Sequence, residues 1–154
     1  ELTDKIVATI AKFRAGEQDP SLRIVNERQF DRLVSLISAT DGKVVTGGGS
    51  DRSNLRIEPT VIVDPSPDDG VMAEEIFGPI LPIITVDSTE AAVTFVNSRP
   101  KPLALYVFTS SQQQGRDLID RMPAGWAPTT ANGGSRRSAI GVPCSPNRVS
   151  RIPA

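Results

Sequence analysis

The chain has few of the residues that hydrolytic and metal-dependent sites commonly use. Its 154 residues include no histidine, one cysteine, one tryptophan and one tyrosine. The absence of histidine removes both the commonest metal ligand and the commonest acid–base side chain. A single cysteine, Cys144, cannot form an internal disulfide, so we expect a reducing, cytoplasmic setting.

Long apolar runs and a strong net charge are also missing. Lys and Arg number 17 against 18 Asp and Glu, which gives a formal net charge of -1. Such a chain has no broad field to attract nucleic acid. No run approaches the roughly 20 apolar residues of a membrane helix. Residues 1–13 are charged throughout and lack the apolar segment of a secretory signal. We therefore expect neither a nucleic-acid partner nor a membrane segment.

Hydrophobic periodicity predicts helices that alternate with strands. Strands that alternate with helices favour an α/β fold with a largely parallel sheet flanked by helices. The predicted helices cover 2–13, 26–38 and 88–97, with a further helix from Ser110; the predicted strands cover 43–46, 56–63, 80–86 and 103–109; and Val71 to Phe77 is a short helix or turn.

The pattern stops near Pro123, where Pro, Gly, Ser and Arg dominate and no periodicity persists. We predict a poorly structured tail there. The Gly47-Gly48-Gly49 run lacks the spacing and the lysine of a phosphate-binding loop, so we interpret it as a flexible connector.

The strongest local candidate for chemistry is the segment from Ala73 to Pro79. Its paired carboxylates, Glu74 and Glu75, could accept hydrogen bonds from vicinal ribose hydroxyls, and Phe77 could stack on a flat heterocycle. The alternative is an acidic first helical turn with Phe77 in the core. From residue types alone the alternative is favoured, because short motifs discriminate weakly.

The remaining candidates point to structure rather than chemistry. Asp64, Asp68 and Asp69 lack a following glutamate at calcium-loop spacing, so a solvated turn is favoured over a cation site. Cys144 has no base or oxyanion donor nearby in sequence and is interpreted as an incidental thiol. We therefore predict no metal ligand and no catalytic residue in this chain.

The run from Val71 to Pro82, with Glu74-Glu75-Ile76-Phe77-Gly78-Pro79 at its centre, resembles the signature of the aldehyde dehydrogenase family. The segment from Lys101 to Phe108 is similar to the class 3 and fatty-aldehyde branch. The resemblance extends from Glu1 to about Arg121. Three further segments occur in the expected order and spacing, namely residues 23–26, 30–33 and 58–61.

The resemblance implies a C-terminal portion of a catalytic domain that uses NAD or NADP to oxidise an aldehyde to a carboxylic acid, in a family that is usually homodimeric. It implies that Glu75 holds the nicotinamide-side ribose hydroxyls and that Phe77 packs beside the nicotinamide ring. The family's nucleophilic cysteine and general-base glutamate would lie before Glu1, so we expect the chain alone to be inactive. The alternatives are a non-catalytic module for nucleotide binding or subunit pairing, and a degenerate product.

The carboxyl end departs from the family after Arg121. The family continues with a strand of the form Ser-Gly-Gly-Val-x-x-Asn-Asp, whereas this chain reads Pro123-Ala124-Gly125-Trp126. A reading frame that starts at the third nucleotide of the Met122 codon could encode Ala-Gly-Gly-Val-Gly-Thr-Asn-Asp. We therefore predict a family portion over 1–121 and a divergent, weakly structured and possibly frameshifted tail over 122–154.

Overall fold

The computed structural model describes residues 1–14 and 22–122, so the predicted tail beyond Met122 lies outside the described residues. The described chain belongs to two compact units, 1–85 and 86–154. The elements in chain order are α1 (Leu2–Arg14), β1 (Leu22–Arg23), α2 (Glu27–Ala39), β2 (Lys43–Thr46), β3 (Ser50–Asp51), β4 (Arg56–Ile57), β5 (Thr60–Val63), a 3-10 helix (Gly70–Met72), β6 (Ile80–Ile83), α3 (Thr89–Asn97) and α4 (Gln112–Arg121).

Helix α2 forms close to where its sequence predicts it. Asn26 caps the helix, and its side chain accepts a 2.8 Å hydrogen bond from the Gln29 backbone N–H. A cap of this kind satisfies one of the first-turn donors that have no helical partner. Phe30 and Leu33 are buried on one face, as the apolar stripe predicts. The helix is therefore fixed both locally and by the core.

The first unit contains two small three-stranded sheets. One has the order β1-β4-β3, with both pairings antiparallel. The other has the order β2-β5-β6, in which β2 runs antiparallel to β5 and β5 runs parallel to β6. The prediction of an α/β fold is confirmed, but strand direction differs from the expectation: among the described residues one pairing in four is parallel. The parallel pair is β5–β6. Strand β6 follows the 3-10 helix in the chain and begins at the buried Ile80.

The single strand predicted over 56–63 is two strands in different sheets. Pro59 has no backbone N–H for a ladder, and the N–H of Glu58 donates instead to the Gly49 carbonyl at 2.9 Å. The chain therefore leaves one sheet at Ile57 and enters the other at Thr60.

The glycine run at 47–49 connects β2 to β3, and two of its backbone N–H groups donate to side chains. Gly47 and Gly48 both have positive φ, 78° and 88°. The N–H of Gly48 donates to the Thr60 hydroxyl at 2.9 Å, and that of Gly49 donates to the Glu58 carboxylate at 3.2 Å. The Arg14 guanidinium also pairs with Glu58, so α1 is attached to the same turn.

The core of the first unit lies between α2 and the strands. Leu33, Ile57 and Ile62 are fully buried at its centre, and Gly78 approaches Leu33 closely. The whole buried cluster consists of Ile24, Phe30, Leu33, Ile57, Ile62, Val71 and Ile80. Because Val71 and Ile80 flank the segment 73–79, the core holds both ends of that segment.

Helices α3 and α4 of the second unit begin at serine caps. The hydroxyls of Ser88 and Ser111 accept from the N–H groups of Ala91 and Gln114 respectively. The Arg121 guanidinium pairs with Glu90, and the hydrogen bond from its other terminal nitrogen measures 2.8 Å. On α3 the buried residue is Val93. Ala91, two residues before it, is exposed.

The buried strand predicted over Leu103 to Thr109 is wrong. No strand is assigned there, and no ladder joins the segment to any described residue. Leu103 and Phe108 are each 74% exposed. A β-strand needs backbone hydrogen bonds to a neighbouring strand. Residues with high β propensity therefore form no strand where no sheet edge lies beside them. None of the described helices is long and apolar enough to cross a membrane.

Candidate cofactor-binding site

The segment 73–79 begins at a 3-10 helix that Asp69 caps. One Asp69 carboxylate oxygen accepts from the Val71 N–H at 2.8 Å. The other accepts from the Thr40 hydroxyl at 2.7 Å and from the Asp41 N–H at 2.8 Å. Burial alone would raise the pKa of this carboxyl, but the hydrogen bonds from Val71, Thr40 and Asp41 outweigh it and lower the pKa to about 2. Asp69 therefore ties the start of the segment to the end of α2.

The other end of the segment is held by close packing. The Pro79 carbonyl accepts from the Thr60 N–H at 2.8 Å, beside the parallel β5–β6 ladder. A Cβ on Gly78 would lie 2.6 Å from both methyl groups of Leu33, which is fully buried. Only glycine allows the chain to pass this close to α2.

Between these ends, residues 74–77 form an exposed turn whose backbone is hydrogen-bonded to two side chains of α2. The Arg32 guanidinium donates to the Glu75 carbonyl at 3.4 Å and also to the Ile76 carbonyl. The Gln29 amide donates to the Ile76 carbonyl at 3.3 Å and to the Phe77 carbonyl at 3.5 Å. The turn is therefore fixed by hydrogen bonds from α2 together with Ile76, which packs against the core cluster.

The two predicted binding residues, Glu75 and Phe77, both lie on this turn and both are exposed. Within the described part of the chain the Glu75 carboxylate has no hydrogen bond or ion pair, whereas its neighbour Glu74 pairs with Arg32 at 2.9 Å. Phe77 is 74% exposed and has a φ of 50°, in the left-handed region. The alternative that placed Phe77 in the core is wrong, and the two glutamates follow the 3-10 helix instead of beginning a helix.

An open groove with a volume of about 690 Å³ lies beside the turn, and Phe77 forms part of its wall. The other lining residues come from the start of α2, namely Val25, Asn26, Arg28, Gln29 and Arg32. Glu75 is not among the lining residues. The structure thus brings Glu75 and Phe77 onto one turn but places only Phe77 in the groove.

Arg32 and Gln29 were not predicted as parts of the site. They lie three residues apart on one face of α2, and the Arg32 Nε donates to the Gln29 amide oxygen at 3.1 Å. The sequence spacing shows that they share a face. It does not show which loop, more than 40 residues later, they contact.

The other predicted candidates have structural roles or lie elsewhere. Asp69 is a cap, Asp68 is exposed, and the Asp64 carboxylate accepts from the Thr85 N–H at 2.7 Å. Among the described residues no three acidic, histidine or cysteine side chains could hold a metal ion together. Cys144 lies outside the described residues.

Comparison with known proteins gives the family of the chain. Residues 1–143 match the aldehyde dehydrogenase family. The chain belongs to the aldehyde dehydrogenase family.

Its curated relatives are of the class 3 type. The chain is 43% identical over 127 residues to human "Aldehyde dehydrogenase family 3 member B1", with 80% of this chain and 27% of that protein covered. It is 41% identical over 128 residues to rat "Aldehyde dehydrogenase, dimeric NADP-preferring", with 81% and 28% covered. The chain therefore spans a little over a quarter of the length of the relatives it matches.

Solved structures show the same fold. A substrate-bound Staphylococcus aureus aldehyde dehydrogenase matches with a TM-score of 0.73 and 38% identity, covering 79% of this chain and 27% of that chain. A Mycobacterium tuberculosis aldehyde dehydrogenase complexed with NAD+ matches with a TM-score of 0.66 and 28% identity, covering 79% and 28%. The family thus includes members that use NAD and members that use NADP.

Proposed function

We propose that this chain supplies the nicotinamide-side wall of the cofactor site in an NAD(P)-dependent aldehyde dehydrogenase. In this proposal Glu75 accepts hydrogen bonds from the ribose hydroxyls, and Phe77 packs beside the nicotinamide ring. When bound, the oxidised ring supplies the hydride acceptor for the conversion of an aldehyde to a carboxylic acid. The residues of this chain bind and orient the cofactor.

One observation carries the proposal: on a turn of fixed backbone, an exposed aromatic ring lies two residues from a carboxylate that has no hydrogen bond or ion pair to any residue the structure describes. An ionised carboxylate is acceptor-only, and its two oxygens can each take one of two vicinal hydroxyl donors. A turn already ordered by α2 avoids part of the ordering cost of binding. The exposed ring offers apolar surface that a flat heterocycle can cover.

We propose further that the chain by itself does not oxidise aldehydes. The covalent route needs an activated thiolate, and the local sequence Pro143-Cys144-Ser145-Pro146 contains no acid–base side chain beside the cysteine. Cofactor contacts alone cannot replace the nucleophile. Aldehyde-dependent formation of NADH or NADPH by the purified chain would contradict this.

Binding of nicotinamide mononucleotide, followed by NMR, tests the cofactor proposal, with AMP as the comparison ligand. Because the chain supplies only one wall of the site, we expect weak binding of the nicotinamide ligand, with a dissociation constant on the order of 1 mM. Glu75→Gln removes the charge and one acceptor and is expected to weaken binding at least about fivefold. Asp68→Asn, which changes another exposed acid near the segment, is the matched control and should change nothing. Equal binding by Glu75→Gln and the unmodified chain would overturn the assignment of Glu75.

We also propose a cytoplasmic location and a homodimeric state for the whole enzyme. The single cysteine and the thiol chemistry of the family support a reducing compartment. The name of the rat relative, which describes it as dimeric, supports the oligomeric state. Light scattering on the purified protein measures the mass of the assembly and tests the dimer.

For residues 122–154 we propose a shift of reading frame near Met122. The third-nucleotide frame from that codon can encode Ala-Gly-Gly-Val-Gly-Thr-Asn-Asp, which is similar to the family's strand. Sequencing the coding DNA tests the idea. A continuous open frame with no compensating change nearby would contradict it.

A further inference from the structure

We propose that Arg32 is a positioning residue for the cofactor site: its guanidinium holds the backbone carbonyls of Glu75 and Ile76 so that Glu75 and Phe77 are presented to the nicotinamide half of the cofactor. The inference rests on the proposed function and adds to it a residue that acts through the turn and not on the ligand.

The Arg32 guanidinium donates to four acceptors at once. Nη1 donates to the Glu74 carboxylate at 2.9 Å, Nη2 to the Glu75 carbonyl at 3.4 Å and to the Ile76 carbonyl, and Nε to the Gln29 amide oxygen at 3.1 Å. A planar fork with five N–H donors can serve such a spread of acceptors. A lysine ammonium is a compact point charge and cannot span them in one rotamer.

The exposed part of the turn depends on these contacts, whereas Ile76 packs against the core cluster. Glu75 and Phe77 are exposed, so packing of their own side chains does not fix their positions. Phe77 also adopts a left-handed φ of 50°, a conformation that side chains disfavour and that surrounding structure must maintain. Helix α2 can maintain it, because its own Leu33 is fully buried beside Gly78.

Arg28 provides a matched comparison on the same helix. It carries the same charge and lines the same groove, and the structure shows no hydrogen bond from it to the turn. If Arg32 acts by hydrogen bonding, removing the charge of Arg28 leaves the turn unchanged. If general positive charge is what matters, both substitutions have the same effect.

Limited chymotrypsin digestion of the full chain reports on the turn without any ligand. Phe77 and Phe108 are equally exposed at 74%, so cleavage after Phe108 is an internal reference for cleavage after Phe77. For Arg32→Gln we expect the Phe77 to Phe108 cleavage ratio to rise about tenfold, because cleavage follows local opening and the lost bonds are charge-assisted. Arg32→Lys should give a similar rise, and Arg28→Gln should give none.

Binding of nicotinamide mononucleotide, measured on the Arg32 variants and on Asp68→Asn, completes the test. We expect binding to weaken about fivefold or more in Arg32→Gln and Arg32→Lys and to stay unchanged in Asp68→Asn, whose side chain does not line the groove. Melting temperatures of the variants separate a local change in the turn from a global loss of stability. If the unmodified chain binds no nicotinamide ligand, the proposed function fails, while the cleavage ratio still decides the role of Arg32.

An unchanged cleavage ratio in Arg32→Gln would overturn the inference, as would an equal rise in Arg28→Gln. Retention of the ordinary ratio by Arg32→Lys would also overturn it, because charge alone would then suffice. If Arg32→Gln loses its cooperative melt, Gln29→Leu is the second variant. It removes the two carbonyl contacts of Gln29 and the acceptor that orients Arg32, so a ratio that does not rise in this variant overturns the inference too.

Discussion

The hydroxyl of Thr40 donates a 2.7 Å hydrogen bond to the buried carboxylate of Asp69, which joins the residue after α2 to the cap of the 3-10 helix that begins the site segment. Asp69 is 8% exposed, and its lowered pKa makes this connection sensitive to acid. The position of the proposed cofactor turn therefore depends on a charged residue that contacts no ligand.

We expect the free energy of unfolding to depend on Asp69 ionisation. The pKa of Asp69 is about 2 in the folded chain against an ordinary value of 3.8, so its carboxylate adds about 2 kcal/mol of stability above pH 4. That contribution is lost as the pH falls from about 4 to about 2. Chemical denaturation of the unmodified chain and of Asp69→Asn across this range measures the effect.

Asp69→Asn should also lose about 1–3 kcal/mol at pH 7, because its single oxygen cannot serve all three donors. Asp68→Asn, at the exposed neighbouring position, is the control and should cost almost nothing. Parallel pH profiles for Asp69→Asn and the unmodified chain would contradict the prediction.

Gly78→Ala should destabilise the first unit by about 1–3 kcal/mol, because the new methyl group would overlap Leu33. Denaturant titration measures the loss. Leu33→Ala is itself destabilising, but it removes the methyl groups that a Cβ on Gly78 would overlap. The double variant should therefore lose less free energy of unfolding than the sum of the losses in the two single variants. Simple additivity would show that the two residues do not compete for space.

Gly47→Ala should cost more than Gly48→Ala, although both positions have positive φ. A Cβ on Gly47 would lie 2.2 Å from the Pro59 carbonyl oxygen, whereas the nearest atom to a Cβ on Gly48 is 3.7 Å away. We expect about 1 kcal/mol for Gly48→Ala from backbone strain alone, and more than about 2 kcal/mol for Gly47→Ala from strain plus collision. Thermal or denaturant unfolding of the pair measures the difference. Equal costs would show that the turn does not pack against Pro59 as described.

Phe77→Gly should separate stability from binding. Phe77 is mostly exposed and has a left-handed φ, so glycine relieves about 1 kcal/mol of backbone strain and loses little packing. We expect unchanged or slightly higher stability together with weaker binding of nicotinamide mononucleotide. Phe77→Ala is the control, because it removes the ring but keeps the strain. Unimpaired binding by both variants would contradict the role proposed for the ring.

Local signals were sufficient for the helices and for strands β2 and β6, and insufficient for the other two predicted strands. Asn26 and Ser88 cap α2 and α3 because a side chain next to the first turn meets donors only two or three residues away. Residues 56–63 divide into two strands because Pro59 has no backbone N–H for a ladder. Each half then pairs in a different sheet, and the local sequence does not indicate which one. The residues 103–109 have strong β propensity but no partner edge among the described residues. Pairing between strands joins residues far apart in sequence, so the β propensity of one segment does not predict it.

By itself the sequence determined the α/β class, the positions of the helices and the family, because capping, periodicity and the signature run are properties of contiguous residues. It also indicated Glu75 and Phe77 as candidate cofactor-binding residues. Only the tertiary structure decided that the turn carrying them is exposed and that Arg32 and Gln29 hold it from α2. The physical reason is sequence distance: these hydrogen bonds join groups more than 40 residues apart, and only the folded core brings α2 beside the turn.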